Sequence, residues 1–201
     1  MKKIIIITLF LSFACKAQTP IYGIRENKPS SMITNNSYKK DIYNDFNKFI
    51  GTWSYTNGNK VFSITFQKRT MFFDNFDNVY KDLLIAEYTY SENGVILVNT
   101  LSNINNTDPY ECNISYGFYS NCNSFPLNSD CISTDTRIKF AFSQPDRLHI
   151  DGYMMANYRE ELGEETLDIY IWQTISFIPD NSNLPTHFTV PIGEHMLFTK
   201  L

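Results

Sequence analysis

The sequence predicts an all-β fold: a single antiparallel β-barrel or barrel-like sandwich of about 8–10 strands, with one short N-terminal helix. Three observations carry this expectation. Short segments that alternate apolar and polar residues recur from residue 51 to the C-terminus, separated by polar turns. Two Asn-Gly dipeptides, Asn57-Gly58 and Asn93-Gly94, stand between such segments, and that pair suits a type I′ hairpin because both central positions take positive φ. Helical and strand patterns do not alternate along the chain, which argues against a parallel α/β sheet. At 201 residues, 43% hydrophobic and 15% aromatic, the chain suits one domain with one core and is too apolar for disorder.

The N-terminus reads as an address. Lys2 and Lys3 precede an apolar run from Ile4 to Phe13 and then small residues around Ala14 and Ala17, the layout of a secretory signal over residues 1–18. The run is too short to span a bilayer as a helix. Leu11-Ser12-Phe13-Ala14-Cys15 resembles a lipoprotein box, which makes Cys15 the lipidation candidate, with Ser12 standing where that motif prefers Leu. Cleavage after Ala17 by ordinary signal peptidase is the alternative. Residues 19–37, with Pro20, Pro29 and several Ser and Asn, read as a flexible tether, and 38–201 as one β-rich domain.

Within that domain, Ile42, Phe46, Phe49 and Ile50 recur at helical spacing and predict a short amphipathic helix over 41–50 that packs on the core. A turn at Asn57-Gly58 sets Trp53 opposite Phe62 and gathers Trp53, Tyr55, Phe62, Ile64 and Phe66 on one face. A turn at Asn93-Gly94 sets Tyr90 opposite Leu97, with Ala86, Tyr88, Tyr90, Leu97 and Leu101 on one face and Ile96, Val98 and Thr100 on the other. A third hairpin alternates Ile138, Phe140 and Phe142, turns at Gln144-Pro145-Asp146 and returns through Leu148 and Ile150. Further strands are expected over 71–76, 114–119, 153–158, 166–177 and 194–200.

The chemistry is read largely from what the chain lacks. The net charge of −4 offers no basic stripe for nucleic acid. There is no G-x-S-x-G elbow, H-E-x-x-H, phosphate loop or dinucleotide fingerprint, so no catalytic residue, cofactor or metal ligand is singled out. Without Cys15 an exported chain keeps Cys112, Cys122 and Cys131. Their gaps do not suit a zinc knuckle, and Cys122 with Cys131, bracketing a polar loop that contains Pro126, is the expected disulfide. His149 with Asp151, and the acidic run Glu160, Glu161, Glu164 and Glu165, read as solvated side chains around turns. On the strand from Thr166, Leu167, Ile169, Ile171 and Ile175 share one face while Tyr170 and Trp172 share the other; either both faces are covered, the outer one by the 41–50 helix, or Tyr170 and Trp172 form a surface aromatic patch. Trp53, Tyr55, Phe62, Tyr88 and Tyr90 either line a ligand pocket inside the barrel or fill its core.

Phe49-Ile50-Gly51-Thr52-Trp53, a short helix running into Gly-x-Trp on the first barrel strand, is similar to the start of lipocalin-like proteins. The Thr-Asp-Tyr turn of lipocalins is absent, as is an arginine on the last strand to pack on Trp53, so that likeness concerns architecture alone. Over nearly the whole chain, KFIGTWSYTNGN, DLLIAEYTYSENGVILVNTLSNIN, TRIKFAFSQPDRLHI and VPIGEHMLFTK resemble an exported flavobacterial family of unknown function, domain-of-unknown-function family 6705. The resemblance implies an envelope or secreted address and a single β-rich domain, and it brings no activity, cofactor or catalytic residue.

The function expected from these readings is that of an exported, non-catalytic binding or partner-interaction module of the cell envelope. Its partner is a small apolar ligand or an envelope protein, with no nucleic acid and no membrane contact beyond a lipid anchor at Cys15. The alternatives are an enzyme acting on envelope carbohydrate or lipid through carboxylates, and a structural or assembly lipoprotein. Two carboxylates about 5–10 Å apart in an aromatic groove would mark the enzyme.

Overall fold

The computed structural model describes residues 19–26, 28, 33–126, 131–132, 135–174 and 183–201; the expected signal peptide and Cys15 lie outside them. Eleven strands form one sheet: β1 (Ile21–Gly23), β2 (Tyr38–Lys40), β3 (Gly51–Asn57), β4 (Lys60–Asp74), β5 (Val79–Glu92), β6 (Val95–Asn99), β7 (Ile114–Ser120), β8 (Thr136–Phe142), β9 (Gly152–Glu161), β10 (Glu164–Gln173) and β11 (His195–Lys200). Their spatial order is β1-β2-β5-β4-β3-β11-β10-β9-β8-β7, and a β5–β7 pairing at Ala86–Ile114 closes β3–β5 and β7–β11 into an eight-stranded antiparallel barrel. β5 therefore carries three neighbours on one side: β2 at its start, β7 at its middle and β6 at its end. In the segment read as a tether, Ile21–Gly23 pairs in parallel with Tyr38–Lys40.

The hairpins follow turn chemistry. Asn93 and Gly94 both take positive φ (54° and 75°), as do Leu162 and Gly163 (55° and 85°), the backbone a type I′ loop requires. At the first hairpin only Gly58 is positive, at 61°, and the loop is Gly58-Asn59. Trp53 consequently pairs with Ile64 and Tyr55 with Phe62, two residues away from the expected register. A shift of two preserves side-chain parity, so the predicted face survives: Trp53, Phe62, Ile64 and Phe66 are buried and Tyr55 half-buried.

Other expectations are corrected by local irregularities. The 41–50 helix is replaced by a single 3-10 turn over Asp45–Lys48, and Ile42 and Ile50 are exposed. Asp41 organises this segment, its carboxylate accepting from the backbone N–H of Asp45 and of Phe46, and only Phe46 and Phe49 reach the core. The separate strand expected over 71–76 is the far half of β4, which continues past a bulge between Arg69 and Phe72 where Met71 takes φ 56°. A bulge at Tyr90/Ser91 sets Tyr90 opposite Val98 instead of Leu97; Val98 is 8% exposed and Leu97 47%, and Leu101 is likewise exposed. The return of the third hairpin begins at Gly152, leaving Leu148 in solvent.

Rings fill the barrel. Phe62 contacts Tyr88, Tyr90 and Phe198 edge-on, and Tyr88 stacks on Phe142 at 5.1 Å. Two of the buried rings satisfy their polar tips, which lowers the cost of burying them: Trp53 Nε1 donates to the Phe49 carbonyl (2.7 Å) and Tyr88 OH to the Ser143 carbonyl (3.0 Å). Lys200 on the last strand lies over the Trp53 ring at 5.2 Å, so a cation does pack there although no arginine is available.

Candidate functional site: an aromatic outer face

The register of β7 through β11 sets rows of side chains across the outside of the barrel. Phe118, Lys139, Met155, Tyr170 and His195 are successive cross-strand partners, and the next row runs Ala141, Tyr153, Trp172. Residues opposite one another share a face, so one patch collects aromatic residues from three strands, β7, β9 and β10. Tyr153 stacks on Trp172 with centroids 5.5 Å apart, and Tyr170 lies 6.2 Å from Trp172. The Lys139 ammonium stands over Tyr153 at 4.2 Å, over Trp172 at 5.3 Å and over Phe118 at 5.9 Å, a cation held by three ring faces.

The loop after β7 completes the patch. Cys122 and Cys131 are joined by a disulfide, and Arg137, on β8 and 1% exposed, pins the loop down by donating to the carbonyls of Asn121 (2.9 Å), Ser124 (3.4 Å) and Pro126 (2.8 Å). Burial lowers the Arg137 pKa, while Asp168 and Asp135 nearby pull it upward. Phe125, 58% exposed, is thereby placed edge-on to both Trp172 (5.3 Å) and Tyr170 (6.2 Å). This loop, and not the 41–50 segment, covers the outer face of β10, and it does so partly: Tyr170 and Trp172 remain half-buried. His195 Nδ1 lies 2.9 Å from Asp168 Oδ1 and adds a polar edge.

The other residues singled out by sequence separate cleanly from this face. Trp53, Phe62, Tyr88 and Tyr90 are core, and Tyr55 is half-buried against Phe198. His149 Nε2 sits 2.7 Å from the Pro185 carbonyl and does not join Asp151. Glu160 and Glu165 are cross-strand neighbours at the β9–β10 turn, where Glu165 accepts from Lys200 and Tyr158. Cys112 is a buried free thiol whose pKa burial pushes up to about 11. Sequence reasoning missed Tyr153, Lys139, Phe118 and Phe125. A two-residue turn at Leu162-Gly163 would have set Tyr153 opposite Trp172; nothing periodic marks Phe125, which a loop carries in.

A family model described as a family of unknown function (DUF6705) matches residues 1–201. No curated protein and no solved structure matches the chain.

Proposed function

Because the chain belongs to this family of unknown function, whose description assigns no activity, we propose that the protein is an exported, non-catalytic module of the cell envelope that docks a partner protein on the outer aromatic face of β7–β11. The observation that carries the reading is the cluster of Phe125, Tyr153, Tyr170 and Trp172, held half-open to solvent by a disulfide-closed loop. Tyr, Trp and Phe are the residues that concentrate binding energy at protein interfaces. Rings already packed on one another lose little conformational entropy on docking, which leaves more of the contact energy for affinity. Export is supported by the signal-like layout of residues 1–18, and a disulfide between Cys122 and Cys131 suits an oxidising compartment. The close ring packing inside the barrel favours an outward site over an internal apolar ligand.

Site-specific photo-crosslinking in native cells tests this. A photoreactive residue in place of Phe125 is expected to yield one discrete protein adduct, lost when Tyr170 and Trp172 are both alanine. The same residue in place of Leu162, fully exposed at the β9–β10 turn, is expected to yield none. No adduct from Phe125, equal adducts from both positions, or a purely glycan adduct would overturn the reading.

A further inference from the structure

A second feature lies at the seam of the barrel and borders the aromatic face only at Phe118. β2 meets β5 through two register pairs, Tyr38–Tyr80 and Lys39–Lys81, so two lysines stand side by side on the same face of the sheet. Farther along, β7 meets β5 only at Ala86–Ile114. Gly117 then passes so close to β5 that a Cβ there would lie 2.8 Å from the Leu84 carbonyl oxygen. Between β2 and β7 a cleft of about 250 Å³ remains, lined by Lys39, Lys81, Asp82, Leu83, Phe118 and the rings of Tyr110, Tyr116 and Tyr119 among others.

The two lysines differ in what holds them. Lys81 Nζ donates to Asp74 (2.6 Å) and to Asp77. Burial alone would raise the Asp74 pKa, but hydrogen bonds from Lys81, from Tyr110 OH and from the backbone of Phe76 and Asp77 bring it down to about 2, so Lys81 faces a firmly ionised partner. The ammonium of half-buried Lys39 makes no hydrogen bond or ion pair with any described residue. Burial lowers its pKa, the Lys81 charge lowers it further, and Asp77 pulls the other way. Asp77 is itself bonded to Lys81, so among the described residues the half-buried Lys39 ammonium has only a shared counter-charge, and a bound anion would offset the cost of its burial. The wall opposite is held under strain: Tyr116 takes φ 55°, an outlier for a bulky residue, and its ring stacks on Tyr110 with centroids 4.4 Å apart at 16°. Such strain persists where the surroundings enforce it, and it clusters at ligand sites.

We propose that the Lys39–Lys81 cleft binds a small organic monocarboxylate with an apolar or aromatic body, the carboxylate meeting Lys39 Nζ and the body lying against Leu83 and the tyrosine rings. One uncommitted positive charge suits one negative charge. Asp82, which lines the cleft and accepts from Tyr38 OH and the backbone of Asp41 and Met71, and Asp74 and Asp77 beside Lys81 disfavour a dianion such as phosphate. The volume suits a single-ring molecule. The cleft rests on Lys39 and the docking face on Phe125, Tyr170 and Trp172, with Phe118 bordering both, so each can fail without the other.

Calorimetric titration of the purified protein with benzoate, benzamide and inorganic phosphate tests it, repeated on Lys39→Met and on Lys200→Met as a lysine control outside the cleft. Benzoate is expected to bind at least ~10-fold more tightly than its neutral isostere benzamide and than phosphate. Lys39→Met is expected to lose at least ~10-fold in benzoate affinity with an unchanged melting temperature, and Lys200→Met to keep it. Should Lys39→Met fail to fold, the comparison of the three probes on the unmodified protein decides alone. No benzoate binding at millimolar concentration, equal binding of benzoate and benzamide, tighter binding of phosphate, or full affinity in a folded Lys39→Met protein would overturn the proposal.

Discussion

Replacing Arg137 by Met should release the loop that builds the aromatic face. The guanidinium is almost fully buried and donates to three loop carbonyls, two of them at 2.9 and 2.8 Å and one longer at 3.4 Å. A hydrogen bond from a charged donor contributes about 1.5–3 kcal/mol, so the two short bonds represent a gross loss of about 3–6 kcal/mol. Methionine refunds part of this by removing a buried charge, and a net loss of about 3 kcal/mol remains. Because the loop lies on the outside of a closed barrel, some of that loss should appear as local detachment before global unfolding. Two assays separate the effects. Urea unfolding reads the global loss, and acrylamide quenching reads Trp172, since Trp53, the only other tryptophan, is fully buried. Arg137→Lys, with one ammonium for three acceptors, should fall between wild type and Met. A stability loss below about 1 kcal/mol together with unchanged Trp172 quenching would refute the pinning role of Arg137.

Three further outcomes follow from the structure. Replacing Cys122 and Cys131 by Ser opens a loop of sequence separation 9, for which chain entropy gives about 2.5 kcal/mol, and should raise Trp172 quenching; denaturant unfolding and quenching of the double variant check both. Trp53→Ala removes a fully buried ring and its hydrogen bond to Phe49, with an expected loss of about 3–5 kcal/mol by calorimetry; a loss near zero would point to an unfilled interior. Glu87 is fully buried, and burial raises its pKa above that of a free carboxyl. The native state therefore holds this proton more tightly than the unfolded chain, the benefit being complete below about pH 4 and lost as pH rises through the folded pKa. Glu87→Gln should gain stability relative to wild type as pH goes from 4 to 7, and parallel pH profiles for the two proteins would contradict this.

The barrel was legible in the sequence because strand parity is robust. Trp53, Phe62, Ile64 and Phe66 face inward whether the first turn sits at Asn57-Gly58 or one residue later, since the register moves by two. Bulges break this robustness, as each adds one residue and reverses parity beyond it. The bulge at Tyr90/Ser91 buries Val98 and exposes Leu97, and no residue type in SENGVILV marks it. The 41–50 stripe had helical spacing, but the carboxylate of Asp41 captures two backbone N–H groups and stops the helix at one 3-10 turn. In the candidate site, Tyr170 and Trp172 were readable from alternation along one strand. The loop that brings Phe125 onto them was not, because it depends on Arg137 meeting carbonyls at irregular positions.

The proposed function places binding on the outer aromatic face and not inside the barrel. Fluorine NMR of protein carrying 5-fluorotryptophan tests it most directly, because the two tryptophans sample the two places: Trp53 the interior, Trp172 the face. On addition of a native envelope extract, the Trp172 resonance should shift or broaden while the Trp53 resonance stays fixed. A shift confined to Trp53, or no change in either resonance, would contradict the account.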